Sequence, residues 1–571
     1  MKVSTLFALL AILVAAACPA AETPGPVTVG DPARPAALPA ALAAAYQQGA
    51  RELTIAPGVY KLPAAGKDGI QLSGWSDATI HAAGVTIIFE EAAHRPVMLK
   101  DCTGVRIEGA TLQFARLAYT QGRIKARGAD AKGAYCDWQI DAGYPTDIDP
   151  VKSNYNVIDH HTRLLKPGTG DCAAKEAERR GPGLFRLRQV YGLLGGAAID
   201  DWLVTRAPGG NSIVQLVDCE GCTMKDITLK NAGFAAFFET GGQGGHRYLG
   251  CRIARGPKPP GASEEQLVAC GADGFHSAGT RTGPTFRHCV WEGVLLDDCI
   301  AIHGSFQKVI RGAGTHLILE QGNGGNVAVA EPVRISNEHG FFDQAKCVAL
   351  RTLDAPERLL ELTLDRALSV PAGAKAGNPN RCGRGFKILD CTLGNTRSRG
   401  ILVKGDDGII RGCTIEGCGM SAVSIGPEYW WGEADYCWNV TVSGNTLRHN
   451  VLNGSDAGVV LVHGDGAVGN RNITIADNPF QENYGLFTMN VEYTDGLKIS
   501  GNRITSPCQL APPRSGSVLN LRAVRHVLLQ NNVVGKAGPA LGGLVKLGKQ
   551  VEGVVGNDVG GIRLDKGSAS E

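Results

Sequence analysis

One position in the second half of the chain recurs at steps of 22 to 33 residues, and this recurrence limits the fold more than any other feature. The residues that occupy it are Cys391, Cys413, Asn445, Asn478, Asn502, Asn532 and Asn557. Each follows a turn-forming residue and precedes a short β-prone run, as in Gly412-Cys413-Thr414-Ile415. A period of this length is typical of a solenoid, in which each coil of the chain stacks on the coil before it.

The composition agrees with many short strands joined by tight turns. The chain has 571 residues, 43% of them hydrophobic, and its 77 glycines suit the turns of an all-β protein. Its formal net charge of +2 argues against a dedicated nucleic-acid binder, which would need a strongly basic face. We therefore predict an all-β right-handed parallel β-helix, whose inward side chains stack into ladders and whose outer face carries a site.

Two interruptions of the coil pattern predict the domain organisation. The run from Leu38 to Gln48 favours a short helix, which we expect to cap the first coil as in pectinase-like β-helices. The pattern is lost at about 113–205 and about 305–375, and strand-like runs there predict two inserted β-domains. The other expected divisions are a signal peptide at 1–21, first coils up to 112, central coils at 206–304, C-terminal coils at 376–560 and a tail at 561–571.

The first residues have the pattern of a secretory signal. Lys2 supplies the positive charge, Leu6 to Ala17 the apolar segment, and Cys18-Pro19-Ala20 the small-residue cleavage region. We expect a secreted or periplasmic protein, and processing in front of Cys18 would instead leave a lipid-anchored one. No later run reaches the roughly 18 apolar residues that a membrane span requires.

Seventeen cysteines in an exported chain would allow disulfides. Four share one coil position, namely Cys251, Cys289, Cys391 and Cys413. That shared position favours a ladder of small buried side chains over pairing. Two bridges stay open, Cys136 with Cys172 and Cys413 with Cys418. No cysteine spacing completes a zinc site, and we expect neither a metal nor a cofactor.

Three aspartates are the strongest candidates for catalysis. Asp273 precedes one β-prone run, and Asp297 and Asp298 precede the next, 24 residues later. Because coils stack at about 4.8 Å, we expect these acids on one surface. If Ile300 faces the core, Asp298 can join Asp297 outside only where the chain bends. Turn formation does not require two adjacent like charges, whereas glycoside hydrolysis requires one protonated and one ionised carboxyl.

The acids resemble the Asp and Asp-Asp motifs of polygalacturonase-type inverting glycoside hydrolases of the pectin-lyase-like fold. Gly271-Ala272-Asp273 replaces the Asn-Thr-Asp motif of those enzymes, and their Gly-His-Gly and Arg-Ile-Lys motifs are missing. A closer resemblance is to glycoside hydrolase family 110, exported α-1,3-galactosidases that are right-handed parallel β-helices with inserted β-barrels. It rests on 233–239, 272–277, Asp297-Asp298 with His303-Gly304, 395–403 and 431–433. The segment 298–302 departs from that family, so the substrate can differ.

The residues around the acids give an expected substrate-binding set. Glu239 depends mainly on the resemblance, while Arg399 and Lys404 could hold sugar hydroxyls or an acidic sugar, or could pair with surface acids. Trp430 and Trp431 lie in an aromatic loop, where we expect one of them to stack on a sugar ring. The full set is Glu239, His276, His303, Arg397, Arg399, Lys404, Glu428, Trp430, Trp431 and Glu433.

These observations predict an exported, inverting glycoside hydrolase. Asp297 or Asp298 would be the general acid, and Asp273 with the other would activate water across about 6.5 to 9.5 Å. The insertions are expected to close one end of the groove, which favours removal of a terminal sugar such as an α-galactoside. Two alternatives stay open: a uronate lyase, epimerase or polygalacturonase-like hydrolase, and a non-catalytic carbohydrate-binding solenoid. The expected partner is a carbohydrate, with no nucleic acid and no membrane span, and the sequence leaves a homodimer open.

Overall fold

The computed structural model describes residues 25–63, 68–91, 95–189, 196–320, 327–354, 356, 358–510, 512, 515–554 and 562–564. The expected signal peptide with Cys18, most of the expected tail, and Asn557 lie outside these residues. Within them the chain winds into successive coils, and each strand pairs in parallel with the strands of the coils before and after it. The molecule is a parallel β-helix, as the sequence predicts.

A regular coil contributes one short strand to each of three stacks, which we name sheets I, II and III. Sheet I contains Asp68–Ser73, Arg95–Lys100, Val214–Val217, Phe237–Thr240, Phe275–Ala278, Ile300–Ser305, Ile401–Val403, Val423–Ile425, Val460–Val462, Phe487–Ser500, Gly516–Gln530 and Leu541–Leu547. Sheet II contains Val27–Val29, Glu52–Ile55, Thr79–His81, Arg106–Glu108, Thr223–Lys225, Arg247–Leu249, Thr285–Arg287, Lys387–Leu389, Ile409–Arg411, Thr441–Ser443, Asn470–Ala476 and Glu552–Val554. Sheet III contains Gly58–Leu62, Val85–Phe89, Thr111–Phe114, Thr228–Lys230, Arg252–Ala254, Val290–Glu292, Thr392–Thr396, Thr414–Cys418, Thr446–Arg448, Pro479–Gln481, Arg503–Thr505, Asn532–Lys536 and Ile562–Leu564.

Two long strands, Phe487–Ser500 and Gly516–Gln530, continue from sheet I into sheet II. With the short strand Glu433–Ala434, which pairs antiparallel with Ile300–Ser305, the two sheets form one 25-stranded sheet. Side-chain alternation decides which residues face the interior. In strand Phe275–Ala278, Phe275 and Ser277 are buried inside the solenoid, while the positions between them face outwards. Sheet I therefore presents a continuous outer face, and the candidate site lies on it.

The recurring position forms a ladder of inward asparagines. Asn478 Oδ1 accepts the backbone N–H of Asn445 at 2.9 Å, and Asn502 Oδ1 accepts that of Asn478 at 3.0 Å. Each Nδ2 also donates to a carbonyl of a neighbouring coil, as Asn478 does to Val442 at 3.0 Å. The prediction that these side chains satisfy the backbone of stacked turns is confirmed.

All sixteen cysteines of the described residues are buried, and none forms a disulfide. The bridge between Cys413 and Cys418 is absent because Cys413 precedes strand Thr414–Cys418 and Cys418 ends it, and each residue of an extended strand adds about 3.3 Å to their separation. Cys136 and Cys172 lie unbridged in the core of the first insertion. The cysteines act as small buried side chains, as their shared coil position predicts.

Two antiparallel β-insertions interrupt the solenoid, as predicted. The first is a seven-stranded sheet made of Tyr119–Asp130, Gly133–Ile140, Asn154–Ile158, Cys172–Ala173, Glu176–Gly181, Leu184–Arg188 and Trp202–Arg206. The second is a closed barrel made of Gln307–Ala313, His316–Glu320, Pro332–Ser336, Phe342–Asp354, Leu359–Leu364 and Lys375–Gly377. The barrel begins directly after the sheet I strand Ile300–Ser305, which brings it next to the outer face of that sheet.

A short helix covers the beginning of the solenoid. The α-helix Leu38–Gln47 follows the 3-10 turn Pro35–Ala37 and buries Leu38 and Leu42 in the core of the first coils. A second 3-10 turn, Pro379–Arg381, leads from the barrel back into the coils. The predicted capping helix is confirmed. None of the helices in the described residues is long and apolar enough to cross a membrane.

Candidate active site

The aspartates lie where two neighbouring strands of sheet I begin. Strand Phe275–Ala278 pairs with strand Ile300–Ser305 in a register that gives Asp273 and Asp298 equivalent positions on consecutive coils. The backbone N–H of Asp298 donates to Asp273 Oδ1 at 3.1 Å. The prediction that one coil separates the acids and that they share a surface is confirmed, although the residue stacked on Asp273 is Asp298 and not Asp297.

A bend in the chain brings both members of the Asp297-Asp298 pair to the outer face. Residues 296 and 297 form the bend, Ile300 behind them is fully buried, and one oxygen of each of the three carboxylates lies within 4.8 Å of the others. The predicted separation of 6.5 to 9.5 Å is therefore wrong for these three groups, because consecutive coils hold them close to the stacking distance. Two oxygens this close can both accept hydrogen bonds from a single water.

Asp297 is the most exposed of the three, with 29% of its side chain accessible. Arg206 Nη2 donates to its Oδ2 at 2.9 Å, and Arg397 Nη2 donates to its Oδ1 at 3.1 Å. Two guanidinium groups thus stabilise the negative charge of this carboxylate. Arg397 also pairs with Asp171 of the first insertion at 2.6 Å.

Asp298 and Asp273 are buried. Burial raises the pKa of Asp298 to about 6, helped by the negative charges of Asp297 and Asp273 and opposed by Arg399. Arg399 donates its backbone N–H to Asp298 Oδ1 at 2.7 Å and its Nη2 to Oδ2 at 3.0 Å. Burial and the charge of Asp297 also raise the pKa of Asp273, against the effect of its hydrogen bond with His276.

A network of buried ion pairs extends from Arg399. Its Nη1 donates to Glu428 Oε1 at 3.2 Å, and the fully buried Lys404 donates to Glu428 Oε2 at 2.9 Å. Lys404 Nζ also lies 3.4 Å from Glu433 Oε2. Burial would raise the pKa of Glu433, but the nearby His303, Lys404 and Arg399 lower it to about 2. The network therefore keeps the Glu433 carboxylate ionised beside a cation that has no contact with solvent.

Two histidines connect this network back to Asp273. His276 Nδ1 lies 2.8 Å from Asp273 Oδ2, and His276 Nε2 lies 3.1 Å from His303 Nε2. His303 Nδ1 lies 2.7 Å from the carbonyl oxygen of Gly304. Burial lowers the pKa of His303 to about 4, whereas for His276 the hydrogen bond and charge of Asp273 outweigh burial and raise the pKa.

The predicted tryptophans lie at the tip of a turn whose base belongs to the network. The Glu428 N–H donates to the Glu433 carbonyl at 3.0 Å and closes the turn. Trp430 and Trp431 are 60% and 71% exposed, and the Trp430 ring packs edge-on against His463 at 5.4 Å. The base of the turn, and not the two rings, contacts Arg399 and Lys404.

Glu239 is not among the residues that the structure brings together. In strand Phe237–Thr240 it faces the interior with Phe237, fully buried, and accepts hydrogen bonds from Ser277 Oγ at 2.7 Å and Tyr248 Oη at 3.1 Å. Its neighbour Phe238 faces outwards instead and stacks on His276 at 5.6 Å. Strict alternation along this strand would have identified Phe238 as the site residue.

Sequence reasoning also missed Arg206. This residue ends the last strand of the first insertion, and its Nε donates to the Gly271 carbonyl at 2.6 Å while its Nη2 binds Asp297. No spacing in the sequence indicates this contact, because it depends on how the insertion packs against the coils. The barrel contributes as well, since Lys375 Nζ donates to the Tyr429 carbonyl at 2.6 Å and supports the turn with the tryptophans.

The three aspartates are close enough together to bind a divalent cation. Three guanidinium groups already lie against two of them, however, and His276 lies against the third. To bind an ion, these carboxylate oxygens would have to lose their hydrogen bonds with the guanidinium groups and with His276. We therefore do not assign a metal site to this cluster.

The family model "Right handed beta helix region" matches residues 379–538, which agrees with the coils described above. No curated protein matches the chain. Among solved structures, the chain is similar to the catalytic domain of a GH87 α-1,3-glucanase in complex with nigerose, with 10% identity, a TM-score of 0.46 and coverage of 94% of this chain and 68% of that one. It is also similar to the A-module of the mannuronan C-5 epimerase AlgE6 of Azotobacter vinelandii, with 13% identity, a TM-score of 0.35 and coverage of 94% and 96%.

A third similar structure is PfbA, a surface adhesin of Streptococcus pneumoniae, with 9% identity, a TM-score of 0.34 and coverage of 92% of this chain and 93% of that one. These three proteins are an epimerase, a glucanase and an adhesin. At such low identities and TM-scores, none of them indicates what this chain does. The resemblance to glycoside hydrolase family 110 stays a prediction. The function has to be argued from the cluster itself.

Proposed function

We propose that the protein is a glycoside hydrolase that uses Asp273, Asp297 and Asp298. The observation that carries this proposal is the convergence of three carboxylates within 4.8 Å in unlike surroundings. Asp297 is partly exposed between two arginines, whereas Asp273 and Asp298 are buried and have raised pKa values. Glycosidic bond cleavage needs such a difference, since one carboxyl protonates the leaving oxygen while another acts in its ionised form.

The short separations do not favour the usual inverting geometry, but they let two of the carboxylates hold one attacking water between them, and the proposed route uses this water. A water that donates to two acceptors at about 2.8 Å holds them a little over 4 Å apart, which fits the cluster. In this route Asp297 directs the water together with whichever of Asp273 and Asp298 is ionised. The other of these two buried carboxyls supplies the proton to the leaving oxygen. The product then has inverted configuration at the anomeric carbon. Direct attack by Asp297 would be a retaining route, for which carboxyls about 5 to 5.5 Å apart are usual.

The charges around the cluster favour a neutral sugar. Arg206 and Arg397 bind Asp297, Arg399 binds Asp298 and Glu428, and Lys404 binds Glu428 and Glu433. A uronate would need a cation for its own carboxylate, and every cation named here already has an acid partner. This observation supports hydrolysis of a hexoside over uronate lyase or epimerase chemistry.

Contacts from both insertions favour action at the end of a glycan. Arg206 of the first insertion binds Asp297, and Lys375 of the barrel supports the turn that carries Trp430 and Trp431. A site that both insertions contact accommodates a terminal residue more readily than an internal one. With the family resemblance, this favours a terminal α-linked galactose, with a tryptophan ring as a wall of the subsite.

The test is a screen of the purified protein against α-galactosides, polygalacturonate and other oligosaccharides. We expect release of a monosaccharide, and a loss of kcat of about 10²- to 10⁴-fold in each of the variants Asp273→Asn, Asp297→Asn and Asp298→Asn. Asp495→Asn is a matched control, because Asp495 is an exposed acid paired with His526. Internal oligomers would contradict action at chain ends, and an unsaturated uronate product would contradict hydrolysis.

The anomeric configuration of the sugar when it is first released distinguishes the inverting route from the retaining route. Proton NMR of the fresh reaction mixture should show the inverted anomer before mutarotation equilibrates it. The retained anomer would replace the water-holding route by direct attack of Asp297. Full activity in the double variant Asp297→Asn/Asp298→Asn would contradict the assignment of the site itself.

A further inference from the structure

Three hydrogen bonds in a row link Asp273, His276 and His303. They run from Asp273 Oδ2 to His276 Nδ1 at 2.8 Å, from His276 Nε2 to His303 Nε2 at 3.1 Å, and from His303 Nδ1 to the Gly304 carbonyl at 2.7 Å. His276 and His303 lie on consecutive strands of sheet I, where the outward positions of neighbouring coils stack, and Asp273 lies just before the first of these strands. The number of these contacts sets the number of protons that the three side chains hold together.

Each contact needs one proton between its two heavy atoms. Three contacts therefore need three protons on the two imidazoles and the carboxyl. Two protons make both imidazoles neutral, and the third makes the net charge of the three groups zero. The set thus holds one proton more than a carboxylate with two neutral histidines, wherever that proton lies.

The surroundings of His303 exclude it as the place for this extra proton. The Gly304 carbonyl can only accept, so it fixes a proton on His303 Nδ1. His303 is buried beside the Lys404 ammonium, and burial, with the charges of His276 and Lys404, outweighs Glu433 and lowers its pKa to about 4. His303 is therefore neutral, its Nε2 accepts, and the proton of the middle contact belongs to His276.

The groups that face His276 favour keeping the extra proton between it and Asp273. Asp273 lies on its own coil, Asp297 and His303 lie on the next, and Glu433 faces it from the turn that pairs with that coil. Phe238 of the preceding coil stacks on its ring at 5.6 Å and covers one face of it. Three of these groups are acids, and none is a cation.

We propose that Asp273, His276 and His303 form a proton-holding triad in which His276 shares one proton with Asp273 and His303 fixes the orientation of His276. Under the proposed function, Asp273 is the group that protonates the glycosidic oxygen. As the bond from the anomeric carbon to that oxygen breaks, its electron pair goes to the oxygen, which takes the proton from Asp273. Water supplies the new hydroxyl and leaves its own proton on Asp297 or Asp298, from which the triad is reloaded.

The proton count can be measured without any substrate. Nitrogen-15 histidine labelling and NMR near neutral pH should show His303 protonated at Nδ1 only and His276 protonated at Nε2. Asp273→Asn should change the His276 nitrogen shifts and leave unchanged those of His449, which pairs with Glu416 and Glu482 and has no contact with the triad in the described residues. A His276 with an unprotonated Nε2, or a charged His303, would overturn the triad.

The pH dependence of kcat tests the role in catalysis. His276→Gln keeps a polar side chain but removes the shared proton, so the alkaline limb of the profile should move to lower pH by about one unit or more. His303→Gln should lower kcat and move the alkaline limb of the profile by less than His276→Gln does, since the amide oxygen of Gln can still accept a hydrogen bond from His276. His449→Gln is the matched control and should leave the profile unchanged.

The two experiments separate failure of the triad from failure of the proposed function. A lower kcat in His276→Gln with an unmoved alkaline limb would assign His276 a merely structural role and overturn the proposal. Absence of activity on every glycoside, combined with the expected NMR signals, would contradict the hydrolase while leaving the proton-holding triad in place.

Discussion

Lys404 is a cation without solvent contact, and its position depends entirely on its neighbours. Its Nζ donates to Glu428 at 2.9 Å and to the Gly426 carbonyl at 3.2 Å, and it lies 3.4 Å from Glu433. A buried ion pair of this kind adds little net stability, because both charges lose their hydration. Breaking it by removing one partner is costly, since the other charge stays buried with one partner fewer.

Lys404→Met should therefore lower the free energy of unfolding by about 3 to 5 kcal/mol. The double variant Lys404→Met/Glu428→Gln should lose less stability than the sum of the two single variants, because either single substitution already removes the Lys404–Glu428 contact. Chemical denaturation of the wild type, both single variants and the double variant measures this coupling. Additive effects of the two substitutions would contradict the ion pair.

Asp298 makes stability depend on pH. Its pKa is about 6 in the folded protein, against 3.8 as the ordinary value, so between these two values the folded state holds a proton that the unfolded state has lost. The free energy of unfolding consequently falls as pH rises from about 4 to about 6, by an amount on the order of 3 kcal/mol.

Asp298→Asn should remove this contribution, because an amide resembles the protonated carboxyl and does not ionise. The variant should be more stable than the wild type at about pH 8 and similar to it at about pH 4, as followed by urea denaturation at each pH. The same variant should lack activity under the proposed function. An advantage in stability that does not change with pH would contradict the raised pKa.

At the scale of elements, alternation along strands accounts for most of what the sequence reveals about the site. It places Ile300 inside and His303 outside, and the repeat length brings Asp273 and the Asp297-Asp298 pair together. The same rule places Glu239 inside the solenoid with Phe237, which explains why Glu239 is absent from the cluster. The prediction that Glu239 binds the substrate did not apply the rule to strand Phe237–Thr240. Arg206 could not be predicted, because its contact depends on the packing of an insertion and leaves no periodic trace.

The turn from 428 to 433 combines rigid and exposed parts. Glu428 and Glu433 anchor its base in the buried network, and Trp430 and Trp431 at its tip contact little else of the described protein. Exposed aromatic rings held in place by a buried base are suited to stacking on a sugar, because the backbone that carries them loses little freedom on binding.

Replacement of Trp430 or Trp431 by Ala should raise KM roughly two- to tenfold and change kcat little, since under the proposed function the rings contact the sugar in both the ground and transition states. The thermal unfolding midpoint should stay the same, because both rings are exposed. Steady-state kinetics on the substrate found in the screen, with a melting curve for each variant, measures both effects. A fall in kcat alone would remove these rings from the subsite.

At the scale of the whole molecule, the barrel is held against the solenoid by a buried arginine. Arg334 of strand Pro332–Ser336 donates to Asp406 at 2.7 and 3.2 Å and to the Tyr436 carbonyl at 2.7 Å. Its guanidinium also lies 3.9 Å from the centre of the Trp438 ring. One side chain thus ties the barrel to two successive segments of the coils.

Arg334→Met should loosen the barrel while the coils stay folded. Hydrogen–deuterium exchange should become faster in 307–377 and in the turn from 428 to 433, and should stay slow in the coils of Asn478 and Asn502. KM should rise because the turn with the tryptophans loses its support. Uniformly faster exchange throughout the chain would show that the barrel and the coils unfold as one unit.

The position of the barrel within its coil has a consequence for how such proteins diversify. Asp298 and Arg399 are about one hundred residues apart in the chain, yet they bond directly, because strands Ile300–Ser305 and Ile401–Val403 stack on each other whatever the chain does in between. The segment between them can therefore be lengthened, shortened or exchanged in evolution without moving the acids. A descendant could acquire a new barrel, and with it a new glycan, while inheriting the chemistry unaltered.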